Sequence, residues 1–186
     1  MVEFLFHGRG GQGAVTAANI LVAAALLEGH RGVQAFPLFG AERRGAPVKA
    51  FARISGVEVD LRSQIYNPDI AIVLDPGLLQ LVDVTAGLKA EGILILNTTR
   101  KPADFAFADT FRVAVVDAAG VAVKHGLQTG GIPIINTPIL GVVPRVTDVV
   151  SLESIETAIR QQWKGEAGER NARVAREAWE QTEVNR

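Results

Sequence analysis

The chain has 186 residues, of which 48% are hydrophobic, and a net charge of −1 at pH 7, values that suit one domain with a substantial core. This charge provides no electrostatic reason to bind nucleic acid or an anionic membrane, and no apolar run is long enough to span a bilayer. The absence of cysteine excludes disulfides, thiolate nucleophiles and cysteine-ligated iron–sulfur clusters within the chain.

Apolar segments that favour strands alternate along the chain with segments that favour helices. The first segment begins at the N-terminus, without a basic region or a cleavage site before it, so we expect an unprocessed cytoplasmic protein. The predicted strands cover residues 2–7, 32–37, 48–54, 69–74, 92–96 and 111–116. The predicted helices cover residues 12–28, 78–88, 117–125, 151–163 and 166–182, and a further helix is capped by Asn136. Glycine-containing loops are predicted at residues 38–47 and 128–133.

Most of the predicted strands are apolar throughout, which is typical of strands that are buried on both faces of a parallel sheet. Their alternation with helices predicts an α/β fold. We expect a single Rossmann-like three-layer domain over residues 1–186, with a mostly parallel sheet and a C-terminal helical extension at residues 166–186 as a candidate for subunit contact. The helix at residues 12–28 is apolar on almost every side, so it must be covered on more than one side, and another subunit is one candidate.

The most distinctive local feature is Gly-Arg-Gly-Gly-Gln-Gly at residues 8–13, between a predicted strand and a predicted helix. Gly8, Gly10 and Gly13 match the GxGxxG pattern, in which the amino terminus of a helix offers free N–H groups to a phosphate. Dinucleotide-binding folds also carry an acidic residue at the end of the second strand. Residues 32–37 contain no carboxylate, which argues against NAD(P). The alternative is that the glycines only form a tight turn and bind no ligand.

A second feature is the loop at residues 38–47, which places Glu42, Arg43 and Arg44 between glycines. Two adjacent arginines suit an anionic ligand or the carboxylates of a partner, and the alternative is a solvated charged loop. Loops that follow parallel strands meet at the carboxyl edge of an open α/β sheet. The glycine loop and the arginine loop can therefore converge.

Other polar residues at strand ends favour structural roles. We interpret His7 as a hydrogen-bonded residue of a buried strand and Asp75 as part of an Asp-Pro-Gly turn. The 3 histidines lie far apart without metal-ligand spacing, so the sequence predicts no metal site. It also shows no Ser–His–Asp or paired-carboxylate arrangement, and we predict no catalytic residue.

Both loops and their flanks resemble the gamma subunit of pyruvate:ferredoxin oxidoreductase and related 2-oxoacid:acceptor oxidoreductases. The matching blocks are GRGGQG-x-VTAA at residues 8–18, QAFPLFGAERRGAPVKAFARI at residues 34–54 and INTPILG at residues 135–141. The resemblance covers roughly residues 1–160. The family usually has proline where Ala41 stands, and the final helix has no counterpart that we can place.

The resemblance implies a subunit of a complex that oxidatively decarboxylates a 2-oxoacid, pyruvate or an aryl-2-oxoacid such as phenylglyoxylate, to acyl-CoA and CO2. In such complexes the alpha and beta subunits hold thiamine diphosphate and Mg, delta and often beta subunits hold iron–sulfur clusters, and gamma loops lie near the path of coenzyme A. The sequence agrees independently, because it lacks cysteine and lacks a Gly-Asp-Gly segment followed by Asn-Asn. We therefore expect a non-autonomous subunit that binds none of these cofactors alone.

The candidate cofactor-binding residues are those of the two loops. They are Gly8, Arg9, Gly10, Gly11, Gln12 and Gly13, together with Glu42, Arg43 and Arg44. The arginine pair would bind coenzyme A phosphates or carboxylates of the alpha subunit, and Glu42 would fix its own loop. Two alternatives stay open, a stand-alone nucleotide-dependent oxidoreductase and a purely structural subunit with an empty glycine loop.

Overall fold

The computed structural model describes residues 1–38 and 45–185 of the chain, and it contains both strands and α-helices. The strands are β1 (Val2–Arg9), β2 (Gly32–Pro37), β3 (Pro47–Ser55), β4 (Ile70–Val73), β5 (Ile93–Asn97), β6 (Arg112–Val116), β7 (Gln128–Thr129), β8 (Ile132–Pro133) and β9 (Glu183–Val184). The α-helices are α1 (Ala14–Leu27), α2 (Ala118–Lys124), α3 (Pro138–Gly141), α4 (Val143–Val146), α5 (Leu152–Gln162) and α6 (Glu166–Gln181). β7 and β8 form a separate hairpin, and the other strands form one sheet.

The central sheet has seven strands in the order β2-β3-β1-β4-β5-β6-β9. β1, β4, β5 and β6 pair in parallel, whereas β3 is antiparallel to both of its neighbours and β9 is antiparallel to β6. β2 therefore runs in the same direction as β1, and only β3 and β9 run against the other five. The predicted α/β fold with a mostly parallel sheet is confirmed.

The two faces of the sheet are covered differently. One face packs against α1 and α3 to α6 in the largest hydrophobic cluster, which includes Phe4, Phe6 and Ile72. The opposite face of β4, β5 and β6 packs against 3-10 turns and irregular segments, with Leu78 and Phe105 among the buried side chains. The third layer of the domain thus consists of short turns instead of α-helices. In the part of the chain that the structure describes, no helix is long and apolar enough to cross a membrane.

The helix predicted at residues 78–88 is wrong. The structure has a 3-10 helix at Pro76–Gln80 and then a series of turns. Asp83 accepts hydrogen bonds at Oδ1 from the backbone N of Thr85 (2.9 Å) and from its Oγ1 (2.7 Å), a local arrangement that competes with helical hydrogen bonding. Gly87 has a φ of 79°, which ends any helical path.

The loop predicted at residues 128–133 is instead the hairpin of β7 and β8. Gly130 and Gly131 have φ values of 57° and 78°, as the two central residues of a tight hairpin turn require. The predicted cap at Asn136 is also wrong, because α3 begins at Pro138 and is preceded by Thr137.

The predicted C-terminal helix is present as α6, and its inner face is buried against α3 and α5. Gly141 in α3 allows this close approach, because a Cβ at this position would lie 2.0 Å from the backbone oxygen of Ala175. α6 then leads into β9, which extends the sheet beside β6. The C-terminal segment is therefore integrated into the fold by helix packing and by strand pairing.

The apolar helix α1 is covered on two sides, by the sheet and by α5. Glu28, which follows the last residue of α1, joins the helix to the start of α5, because Glu28 Oε1 accepts hydrogen bonds from Ser151 N (2.9 Å) and Ser154 Oγ (2.5 Å). These hydrogen bonds from Ser151 and Ser154 lower the pKa of Glu28 to about 2. The ionised carboxylate also lies at the amino terminus of α5, where negative charge is favourable.

Candidate functional site

The glycine loop connects β1 to α1 at the carboxyl edge of the sheet. β1 extends to Arg9, so the predicted helix starts later than expected, at Ala14. Gly11 and Gly13 have φ values of 95° and 80°, a left-handed conformation that favours glycine. A Cβ on Gly13 would lie 2.7 Å from Nδ2 of Asn136. Glycine is therefore required at this position by both conformation and space.

The amino terminus of α1 begins after Gly13, which has no side chain to cap it. Within residues 1–38 and 45–185, no side chain hydrogen-bonds as a cap at Gly13, and the first turn of α1 contains no acidic residue. The first N–H groups of an α-helix have no partner inside the helix, and the helix dipole places partial positive charge there. The start of α1 can therefore bind an anionic group.

An open groove of about 580 Å³ lies in front of this helix terminus. The glycine loop and the first turn of α1 form its polar side, and the hairpin and Trp163 form its more apolar side. The lining residues are Arg9, Gly10, Gly11, Gln12, Gly13, Thr16, Gly45, Thr129, Ile132, Pro133, Ile134, Asn136 and Trp163. The groove thus combines a helix terminus whose partial positive charge suits an anion with a more apolar wall.

The side chains of Arg9 and Gln12 are held by Asp75, which follows β4. Oδ2 of Asp75 accepts hydrogen bonds from Nε of Arg9 (2.9 Å) and from Nε2 of Gln12 (2.8 Å). Gln12 in turn accepts the backbone N–H of Arg9 at Oε1 (2.7 Å). Asp75 also accepts from the N–H of Gly77 (2.8 Å), as the predicted turn requires. It therefore forms a turn and also supports the glycine loop, a second role that the sequence did not indicate.

The glycine loop is paired with the segment that follows the arginine pair. Gly10 N donates to Ala46 O (2.9 Å), and Gly45 N donates to Gly10 O (3.1 Å). Nη1 of Arg9 also donates to Gly45 O (3.1 Å). The two loops thus meet at Gly45 and Ala46.

Three of the candidate residues, Glu42, Arg43 and Arg44, lie outside the described residues. Their predicted roles stay predictions. Arg9 to Gly13 line the groove, whereas Gly8 lies inside β1, where a Cβ would be 3.3 Å from the Cβ of Ala14. Gly8 therefore serves the packing of α1 against β1 rather than the groove.

Asn136 was predicted as a helix cap but lines the groove beside Gly13. It is 6% exposed, and its Oδ1 is a buried atom without a hydrogen-bond partner in the described part of the chain. Buried polar atoms usually have partners. In the sequence, the position of Asn136 in the INTPILG block was the only indication that it could line the groove.

His7 lies close to the glycine loop in sequence but does not line the groove. Burial, followed by the positive charge of Lys49, lowers the pKa of His7 to about 4, so the imidazole is neutral at pH 7. Its Nε2 is buried and has no hydrogen-bond partner among residues 1–38 and 45–185. The buried position agrees with the structural interpretation of His7, but the expected hydrogen bond is absent at this atom.

Comparison with known proteins agrees with the resemblance seen in the sequence. Residues 3–181 match the family model described as pyruvate ferredoxin/flavodoxin oxidoreductase. The chain is 56% identical to the common gamma subunit of the pyruvate/ketoisovalerate oxidoreductases of Pyrococcus furiosus, over 99% of this chain and 98% of that protein. It is 50% identical to the pyruvate synthase subunit PorC of Methanothermobacter thermautotrophicus, over 98% of this chain and 97% of that protein.

A solved structure shows the same fold. The crystal structure of the pyruvate oxidoreductase subunit PORC of Thermotoga maritima is 37% identical, covers 100% of this chain and 98% of its own, and superposes with a TM-score of 0.82. The family model and the relatives thus extend through the final helix, for which the resemblance in the sequence had offered no counterpart. This chain belongs to the gamma subunits of the pyruvate ferredoxin/flavodoxin oxidoreductase family, and it is a non-autonomous part of a 2-oxoacid oxidoreductase complex.

Proposed function

We propose that this chain is the gamma subunit of a cytoplasmic, thiamine-diphosphate-dependent 2-oxoacid:ferredoxin oxidoreductase. Alpha- and beta-type subunits would hold thiamine diphosphate and Mg, and delta-type subunits would hold the iron–sulfur clusters. This division of labour is supported by the sequence, which has 0 cysteines and no thiamine-anchoring segment. A single domain over residues 1–186 and subunit contact through residues 166–186 are part of the same proposal.

The proposed substrate is pyruvate, which is oxidised and decarboxylated to acetyl-CoA and CO2. Support comes from the relatives, because the protein of Pyrococcus furiosus is named for both pyruvate and ketoisovalerate, and that of Methanothermobacter thermautotrophicus for pyruvate synthesis. A gamma subunit that is common to two oxidoreductases does not by itself select the side chain of the substrate. We therefore assign substrate selection to the partner subunits.

An assay of the purified native complex tests the substrate. With coenzyme A and a ferredoxin-type acceptor present, we expect pyruvate to be oxidised faster than 2-oxoisovalerate and phenylglyoxylate. Faster oxidation of phenylglyoxylate would contradict the assignment to pyruvate and favour the aryl-2-oxoacid alternative. Calorimetric titration of the isolated chain with NAD(P) and FAD tests the alternative of a stand-alone nucleotide-dependent oxidoreductase. That alternative requires tight binding, and we expect no binding.

We further propose that the groove in front of α1 binds the phosphates of coenzyme A. The observation that carries this proposal is the uncapped amino terminus of a 14-residue helix that opens onto a groove with an apolar wall. Free N–H groups and the helix dipole suit the anionic diphosphate, and Arg43 and Arg44 would add charge from the adjacent loop. The apolar side suits the long uncharged arm of the same molecule.

Thr16 offers a test that separates ligand binding from stability. Thr16 lines the groove and is the third residue of α1, where a carboxylate can pair with free N–H groups and favours the helix. We expect T16E to raise the KM for coenzyme A about tenfold, because the added charge repels phosphate and occupies its donors at a cost of about 1.4 kcal/mol. The thermal midpoint of the subunit should not fall.

A matched control places the same charge elsewhere on the helix. Asn19 is exposed, lies one turn further along α1 and does not line the groove. N19E should leave the KM for coenzyme A within about twofold of the parent value, because the charge no longer faces the helix terminus. An unchanged KM in the T16E complex would remove coenzyme A from this groove and favour a purely structural glycine loop.

A further inference from the structure

Asp75 lies behind the groove and is not one of its lining residues. Within residues 1–38 and 45–185, its side chain nevertheless accepts hydrogen bonds from two residues that line the groove, Arg9 and Gln12, and from Gly77 in the adjacent turn. Its Oδ2 receives Nε of Arg9 at 2.9 Å and Nε2 of Gln12 at 2.8 Å, and its side chain is 19% exposed. One carboxylate oxygen thus holds two side chains that both line the groove.

Arg9 and Gln12 stand at the two ends of the turn that precedes α1. They are joined directly, because Oε1 of Gln12 accepts the backbone N–H of Arg9 (2.7 Å) and Gln12 N donates to Arg9 O (2.9 Å). Arg9 continues the network to Gly45. A ring of hydrogen bonds through Asp75 therefore sets the path of the backbone between Arg9 and Gln12, where Gly10 and Gly11 would otherwise be conformationally free.

We propose that Asp75 is a positioning residue for the coenzyme A step, which holds Arg9 and Gln12 so that the glycine loop presents its N–H groups to the phosphates. This inference rests on the proposed binding of coenzyme A in the groove. A loop that is ordered before binding loses less conformational entropy when the ligand arrives. Asp75 touches no ligand itself and acts only through its two partners.

Asp75 could also weaken the binding of coenzyme A, which is the opposite of the proposed effect. The carboxylate also neutralises Arg9, so its removal would free a guanidinium to bind phosphate directly. If neutralisation were the main role, D75N would lower the KM for coenzyme A. If positioning is the main role, the same substitution raises it. The amide of asparagine has one acceptor oxygen, so its NH2 group opposes either the donors of Arg9 and Gln12 or the N–H of Gly77, and the charge that strengthens these hydrogen bonds is lost.

The test is steady-state kinetics of the assembled complex that carries D75N. We expect the KM for coenzyme A to rise about tenfold, with the kcat at saturating coenzyme A and the KM for the 2-oxoacid within about twofold of the parent values. A merely structural role would lower the amount of assembled complex and leave the KM for coenzyme A unchanged. An unchanged or lower KM overturns the proposal.

Asp104 provides a matched control at the same edge of the sheet. Its Oδ2 accepts the N–H of Lys101 (2.9 Å) beside a 3-10 turn, and it makes no contact with the glycine loop among the described contacts. D104N should leave the KM for coenzyme A unchanged, because it disturbs a comparable turn without touching Arg9 or Gln12. An equal rise in KM in both variants would overturn the proposal, since the effect would not be specific to Asp75.

A second variant covers the case in which D75N does not assemble. Q12M keeps the length of the side chain and removes only a neutral donor and acceptor, and we expect it to raise the KM for coenzyme A about threefold. An unchanged KM for Q12M would then overturn the proposal. T16E distinguishes failure of the positioning role of Asp75 from failure of coenzyme A binding in the groove. A raised KM for coenzyme A in T16E with no change in D75N rejects only the positioning role. No change in either variant rejects the coenzyme A groove as well.

Discussion

Replacing Arg53 with methionine is expected to lower the free energy of unfolding by about 3 kcal/mol, because it breaks a buried ion pair and leaves its partners unsatisfied. Arg53 is 2% exposed, and its Nε lies 2.9 Å from Oε1 of Glu3. Its Nη1 donates to Gln34 (3.2 Å), and its guanidinium centre lies 5.4 Å from the ring centre of Phe36. Lys89, at 3.9 Å from the other oxygen of Glu3, offsets part of the loss.

Urea unfolding of the purified subunit measures this effect. The control is R62M, which removes the same charge from an exposed position on the segment that follows β3. It should change the unfolding free energy by less than about 0.5 kcal/mol. Equal effects of R53M and R62M would show that the buried network around Glu3 does not stabilise the fold.

Replacing Gly141 with alanine is expected to destabilise the subunit by about 3 kcal/mol, because one methyl group forces two helices apart. The new Cβ would lie 2.0 Å from the backbone oxygen of Ala175 and 3.2 Å from the backbone nitrogen of Trp179. Neither backbone atom can rotate away as a flexible side chain would. The displacement would move α6, and with it β9 at the edge of the sheet.

A fall in the thermal midpoint, with loss of protection of α6 in hydrogen exchange, is the expected observation for G141A. Gly56 is the matched control, since an added Cβ would have no heavy atom of the described residues within 4 Å, apart from its own chain neighbours. G56A should leave the thermal midpoint nearly unchanged. A stable G141A variant with a protected α6 would contradict the proposed close packing of α3 and α6.

The local structure of the glycine loop could be predicted from the sequence, whereas its contact with Asp75 could not. The motif at residues 8–13 predicted a strand, a turn and a helix in the right order, because the φ values that Gly11 and Gly13 adopt are a local property of the chain. Its partner Asp75 is 63 residues from Gln12. Asp-Pro-Gly is ordinary turn chemistry, and only the parallel pairing of β1 with β4 brings it to the loop.

The errors in the predicted elements have two origins, one local and one in the tertiary structure. Residues 78–88 carry enough apolar side chains to suggest a helix, but Asp83 and Gly87 set a different local path. β9 has two residues, which is too short for any periodic pattern. It forms because α6 ends close to β6, so that the residues after α6 can pair with this strand. Asn185 Oδ1 also accepts the N–H of Val113 there (2.8 Å).

In the sequence, Arg53 is simply one residue of the predicted strand at residues 48–54. Its burial depends on the irregular segment after β3, whose Gln64 accepts Nη2 of Arg53 at the backbone oxygen (3.4 Å). Asn136 was likewise assigned to a helix end, whereas the packing of α3 places it against Gly13. Such contacts join residues that are distant in sequence, so local patterns carry little information about them.

The sequence by itself determined the α/β class, the order of most strands and helices, the glycine turn and the family. These follow from local periodicity, from the backbone preferences of glycine and from the combination of the blocks at residues 8–18, 34–54 and 135–141. Only the tertiary structure decided which side chains surround the groove, that Asp75 supports it and that Arg53 is buried. Side chains meet there through strand pairing and helix packing, whose geometry depends on the whole fold and is not encoded within any one segment.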